Sequence, residues 1–156
     1  MKKFFFMILL TVLLSGCAIA EPLLSPDKTA DAINNLISST AVDGVEQTCY
    51  YNEDKNLFFM IVVSDDMIDS ATAAASGKSK KKWTACKETA YSMYDTVRSL
   101  LDTYGHEDAG FYVFLDTGSD KDAFTFYAVG EEDGGECTVF LDMITNDSKP
   151  TKPKKK

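Results

Sequence analysis

The stretch from Lys81 to Tyr104 limits the fold more than any other. Trp83, Cys86, Ala90, Tyr94, Val97, Leu101 and Tyr104 recur at steps of three and four, while Glu88, Ser92, Asp95, Ser99 and Asp102 take the opposite side. That period predicts an amphipathic α-helix of about six turns, ended by Gly105. A helix with so long an apolar stripe has to bury it against a second layer. Trp83 and Cys86 lie on the stripe, which makes Trp83 a core anchor rather than a ligand platform.

The second layer is legible on both sides of that helix. Val45 to Asn52 and Leu57 to Ser64 read as two strands joined by a charged loop. Phe111 to Asp116 and Ala123 to Gly130 read as a second hairpin, and Cys137 to Ile144 as a fifth strand. In the first strand Val45, Cys49 and Tyr51 share a side, which turns Cys49 inward. Leu57 to Val63 is apolar without alternation, the pattern of a central strand covered on both faces. In the fifth, Cys137, Val139, Leu141 and Met143 share a face. Asp27 to Ser39 reads as a first helix, with Ala30, Ile33, Leu36 and Ile37 on one side, and Asp65 to Ala75 as a short Ala-rich helix. The order α-β-β-α-β-β-β predicts an α+β domain, an antiparallel sheet of about five strands packed against one long amphipathic helix. The two α-β-β blocks have the look of a crude repeat.

Ahead of this domain, Met1 to Glu21 has the three parts of a secretory signal. Lys2 and Lys3 precede an apolar run, Phe4 to Leu14, that is too short to span a bilayer, and small residues follow. The run ends in Leu14-Ser15-Gly16-Cys17, which resembles the lipobox of bacterial lipoproteins. The resemblance implies that Cys17 becomes the N-terminus and carries a thioether-linked diacylglycerol, usually with a further acyl chain on its amine. Each buried methylene is worth roughly 0.8 kcal/mol, so two or more chains hold stably where one holds marginally. The alternative is cleavage after Ala18-Ile19-Ala20 and plain secretion. The expected division is a signal over residues 1–16, a tether over 17–26 kept extended by Pro22 and Pro26, one domain over 27–146, and a disordered Lys/Pro tail over 147–156. The expected location is the cell membrane, on its extracytoplasmic side.

Charge is unevenly placed. Residues 21–148 hold all 24 acids and nine of the 16 Lys and Arg, a net charge near −15. That excludes nucleic acid as a partner, because phosphate binding needs a basic surface. The tail lysines Lys149, Lys152, Lys154, Lys155 and Lys156, spaced by Pro150 and Pro153, suit attraction to anionic lipid or wall polymer, at about 1 kcal/mol per lysine near such a surface. The alternative is a solvated end.

Few residues could carry chemistry. With Cys17 lipidated, Cys49, Cys86 and Cys137 remain, enough for one disulfide, of Cys49 with Cys86 or Cys137. None is spaced as C-x-x-C. Val113-Phe114-Leu115-Asp116-Thr117-Gly118-Ser119 resembles the active-site turn of aspartic proteases, which would make Asp116 a catalytic acid. The charged residues after it, the short remainder of the chain and the long helix before it run against that family. Asp116, Asp120 and Asp122 are the nearest thing to a calcium loop, without the EF-hand spacing. His106 is the only histidine, which excludes a multi-histidine zinc site. No cofactor fingerprint is present. The reading is a non-enzymatic, lipid-anchored extracytoplasmic protein that offers a sheet face or edge, or the acidic loop 131–136, to a protein or envelope-polymer partner. The alternatives are a small secreted hydrolase or hydrolase inhibitor, and a carrier of apolar ligands between sheet and helix, lined by Phe58, Met60, Tyr94 and Phe126.

Overall fold

The computed structural model describes residues 24–40, 42–78, 80–116 and 125–144. Its elements follow the order α1 (Pro26–Ser39), β1 (Glu46–Asn52), β2 (Leu57–Val63), α2 (Asp65–Ala75), α3 (Lys80–Thr103), β3 (Gly110–Asp116), β4 (Thr125–Glu131) and β5 (Thr138–Asp142), with one 3-10 turn at Glu53–Lys55. The strands lie in the order β1-β2-β3-β4-β5. The α+β class and the two hairpins stand as the sequence pattern predicts.

The sheet is mixed rather than wholly antiparallel. Three of its pairings are antiparallel, but β2 and β3 run parallel, Phe58 beside Phe111 and Met60 beside Val113. Parallel neighbours need a crossover that returns the chain to the end it started from. α3 supplies it. Its 24 residues span about 36 Å at 1.5 Å per residue, longer than a seven-residue strand at about 3.3 Å per residue. α3 ends where Gly105 takes φ +84°, which lets the His106 N–H bond the Leu101 carbonyl at 2.9 Å and closes the last turn.

The three described helices lie on one side of the sheet. α1 lies on β1, α3 on β3 and β4, and α2 on α3. The core between the layers contains Phe58, Met60 and Val62 of β2, Phe111, Val113 and Leu115 of β3, and the α3 stripe of Trp83, Cys86, Ala90, Tyr94, Val97 and Leu101. Trp83 meets Tyr127 edge-on at 5.9 Å and Phe126 at 6.5 Å, and Tyr94 stacks on Phe111 at 5.6 Å. Such pairs add about 0.5–1.5 kcal/mol each beyond the area they bury.

Two expectations change at the strands. β2 is covered on one face only: Phe58, Met60 and Val62 are buried, while Leu57, Phe59, Ile61 and Val63 are half-buried. The unbroken apolar run hid an alternation of environment, because the residues on the less covered face are apolar too. In β5 the expected common face of Cys137, Val139, Leu141 and Met143 is broken by a bulge. Val139 pairs with Val129, but Leu141 pairs with Ala128, so Phe140 is an extra residue. A bulge reverses the in–out phase of the strand beyond it. A second bulge, between Leu115 and Asp116, brings Phe126 to the helix side beside Trp83.

The β1 edge is closed by α1. The Asn34 side chain donates to the Cys49 carbonyl at 2.8 Å and accepts from the Cys49 N–H at 2.7 Å. One amide thus satisfies both main-chain groups of an edge residue and blocks strand addition there.

Close packing of β3 on β4 depends on Gly130. A Cβ at that position would collide with the Phe111 carbonyl oxygen and with Tyr112, whereas Gly135 faces open space. Gly130→Ala should therefore lower stability in a denaturant titration by about 3 kcal/mol, and Gly135→Ala should stay within about 0.5 kcal/mol of the parent.

Candidate functional site

The face of the sheet away from the helices is the most unusual surface of the molecule. Register places Thr48 and Tyr50 of β1, Leu57, Phe59, Ile61 and Val63 of β2, Tyr112 and Phe114 of β3, Ala128 of β4 and Leu141 of β5 on it. Among the described residues no helix lies on this face. Five aromatic rings form a continuous row across it. Tyr50 stacks on Phe59 at 5.2 Å, Phe59 meets Phe114 at 6.4 Å, Phe114 lies 5.8 Å from Tyr112, and Tyr112 meets Phe140 at 4.6 Å. The two ends of the row are open to solvent, Tyr50 at 45% and Phe140 at 48% exposure, and Leu141 and Met143 beside Phe140 are exposed as well. With strands about 4.8 Å apart, the row crosses about 19 Å of sheet.

The charged rim of this face is acidic. No described strand contains a lysine or arginine. Glu46 and Asp116 lie on the face at one end of the strands, and at the other Glu132 accepts a hydrogen bond from the Tyr112 hydroxyl at 2.9 Å. Burial, with Glu132 beside it, pushes that phenol well above its ordinary range. Two strand acids lie on the opposite face. Asp142 meets Lys87 at 2.9 Å and Glu131 meets Arg98 at 3.2 Å, so α3 supplies a cation for each.

Arg98 also organises the turn that leads into β3. Its guanidinium donates to the Ala109 carbonyl at 2.7 Å, to the His106 carbonyl, and to Asp102 at 2.8 Å. His106 binds this turn to the start of α1, with Nε2 at 2.9 Å from Thr29 Oγ1 and a hydrogen bond to the Leu24 backbone. Burial and the nearby Arg98 hold its pKa below the ordinary histidine value. His106 is thus a structural link between two elements. Glu131 is 3% exposed, and its Oε2 has no hydrogen-bond partner. Burial pushes its carboxyl up to about 7. Arg98, shared among three other acceptors, offsets that burial only in part.

The residues singled out from the sequence do not converge. Cys49, Cys86 and Cys137 are not bridged. Cys49 lies under α1, Cys86 faces Ser70 and Asp66 of α2, and Cys137 lies near Tyr91 and Tyr127. Burial pushes the Cys49 thiol up to about 12 and raises that of Cys86, which makes both poor nucleophiles. Asp116 is buried at the end of β3. Thr117, Gly118 and Ser119 of its motif, Asp120 and Asp122 of the weak calcium set, Cys17 and the Lys/Pro tail lie outside the described residues. Among the described residues no three His, Cys, Asp or Glu side chains come together to hold a metal ion. Phe58, Met60 and Tyr94 belong to the core, and Phe126 packs against it. The sequence points to a sheet face or edge, or the acidic loop 131–136, without marking the residues of this row. Its signal was in plain view, in the apolar character of both sets of alternate positions in β2 and β3.

Residues 1–18 match the family model described as prokaryotic membrane lipoprotein lipid attachment site. The chain carries a lipoprotein signal. The match supports a membrane-anchored lipoprotein, and Cys17 is the cysteine within the matched segment. No curated protein and no solved structure matches the chain. Among the described residues no helix is long and apolar enough to cross a membrane.

The buried Glu131 generates a pH dependence. Its folded pKa of about 7 lies above the ordinary 4.5, so between those values the folded state binds more protons than the unfolded one. Its contribution to stability therefore falls as pH rises through that window, by up to about 3 kcal/mol. His106, depressed by burial, acts in the opposite direction, so the comparison has to be with Glu131→Gln. The stability of the parent relative to this variant should decline from pH 4.5 to pH 7 in thermal or denaturant melts. A difference that is flat with pH would show the carboxyl to be ionised throughout.

Proposed function

We propose that this lipoprotein is a non-enzymatic binding module on the extracytoplasmic side of its membrane, and that it docks an envelope protein on the open face of its sheet. The observation that carries the reading is the uninterrupted row Tyr50–Phe59–Phe114–Tyr112–Phe140, exposed at both ends. A contiguous apolar surface is expensive to leave in water and characterises sites of association. Tyrosine and phenylalanine are enriched in the cores of such sites because they bring large area at small entropic cost.

Size and charge narrow the partner. A face about 19 Å across and about 20 Å along the strands is smaller than one side of a standard interface, which buries about 800 Å² per partner. It fits one laid-on segment, an amphipathic helix or an extended strand, better than a broad globular surface. The exposed rim acids Glu46 and Glu132 call for lysine or arginine at the margins of the partner's apolar stripe. They also set a second copy of this chain against itself, since like charges would meet.

Two measurements test this. Intact mass of the membrane-extracted protein should show a chain beginning at Cys17 with added acyl mass, and Cys17→Ser should release the protein from the membrane fraction. A chain beginning at Glu21 without lipid would overturn the anchored reading. For the face, photo-crosslinking side chains placed at Tyr50 and Phe140 should join the protein in cells to one partner whose crosslinked peptide is apolar with basic flanks. The same probe at Ser99, on the outer side of α3, should not. Crosslinks to a second copy of this chain, or equal yields at all three positions, would overturn it. So would a hydrolase activity abolished by Asp116→Ala or His106→Ala. Tyr50→Ser with Phe140→Ser should remove the crosslink partner while stability changes by less than about 1 kcal/mol.

A further inference from the structure

Register places four residues of the open face on one straight diagonal. Glu46 pairs with Val63, and two residues back along β2 is Ile61. Ile61 pairs with Phe114, and two residues back along β3 is Tyr112. Tyr112 pairs with Gly130, and two residues further along the chain is Glu132, whose carboxylate meets the Tyr112 hydroxyl. Each step moves one strand over and two residues along, about 8 Å, so the line from Glu46 to Glu132 is about 25 Å long. Both ends are exposed acids, and Ile61 and Tyr112 between them are apolar and largely covered. Phe59 and Phe114 flank the line closely, one on each side, with their rings 6.4 Å apart. Tyr50 and Phe140, the two exposed rings of the row, stand further out on opposite sides. The diagonal is an apolar track with an acid at each end and an open ring along each side.

A segment lying on this track has to satisfy its own main chain. The flat side of a sheet offers it no backbone partner, because the strands bond one another within the plane of the sheet. An extended segment laid there would leave buried N–H and C=O groups unpaired, whereas a helix pairs them internally. The edges do not favour an added strand either. At β1 the Asn34 side chain holds both main-chain groups of Cys49. β5 is five residues long and bulged at Phe140, and short or bulged strands blunt an edge.

We infer, resting on the docking face proposed above, that the docked segment of the envelope partner is an amphipathic α-helix laid from Glu46 to Glu132, with a lysine or arginine near each end. At 1.5 Å per residue the track takes a helix of about 16 residues. Apolar side chains at steps of three and four keep one stripe on Ile61, Phe59, Phe114 and Tyr112. Tyr50 and Phe140 close on the two flanks of the helix, which accounts for their exposure without it. The separated acids fix the line along which the helix lies.

Photo-crosslinking side chains at Thr48 and Thr138 of the full lipoprotein test this in cells. Both positions belong to the open face, and they are about 17 Å apart along the diagonal. They should join two residues of one partner about eleven positions apart, on the same side of a helix. A separation of about five positions would show an extended chain and overturn the inference while leaving the docking face in place. Crosslinks to a second copy, or within the protein's own chain, would overturn both. Glu46→Gln with Glu132→Gln should lower the yield at Thr48 about fivefold at an unchanged melting temperature, since both acids are exposed. Glu88→Gln with Asp95→Asn removes as much charge from the exposed side of α3 and should leave the yield as it was. Equal losses from the two pairs would show a general attraction to an acidic domain and overturn the inference, as would no loss from the first pair.

Discussion

The parallel pairing of β2 with β3 is the constraint on which the rest of the architecture depends. Two parallel neighbours oblige the chain to cross the full length of the sheet between them, and α3 does this as one uninterrupted helix. Its stripe then has to lie on the sheet, which fixes one face as the core. Its far end has to turn back within a few residues. That turn is held by Arg98 on the carbonyls of His106 and Ala109, by the positive φ of Gly105, and by the bond of His106 to Thr29. The first helix is thereby tied to the third at the end where the anchored segment enters the domain.

Among the described residues every helix lies on one side of the sheet, and the other face is apolar and aromatic. The cost of that exposure is moderated by the row of rings, whose members cover one another. Tyr112 keeps only 7% of its surface in water although it lies on the uncovered side. The two faces also differ in how they treat charge. On the helix side, acids of β4 and β5 are matched by cations of α3. On the other side the strands bring acids and no cation of their own. Lysines are concentrated at the far corner of α3. The domain so divided has three distinct regions: an acidic end where α3 stops, an aromatic side, and a basic corner where α3 begins.

Much of this was legible in the chain. The 3–4 spacing of Trp83, Cys86, Ala90, Tyr94 and Val97 marked α3, because helical periodicity is set locally by 3.6 residues per turn. The hairpins were marked by apolar runs broken by charged loops. The Leu14-Ser15-Gly16-Cys17 segment is recognised as a linear sequence and needs no fold to be read. The phase of β5 was not legible, because a one-residue bulge opposite Ala128 and Val129 is a property of the pair of strands. Nor was the one-sided burial of β2. Phe59 and Met60 are equally apolar, and only the position of the helices decides which of them faces water.

Local pattern by itself determined the anchor, the helices, the strands and their order, because each depends on residues close together along the chain. Tertiary structure alone decided the direction of β3 beside β2, the assembly of the ring row from β1, β2, β3 and β5, and the burial of Glu131 without a full set of partners. Each of these joins residues distant in sequence, and their meeting depends on how the layers pack rather than on the preference of any one segment.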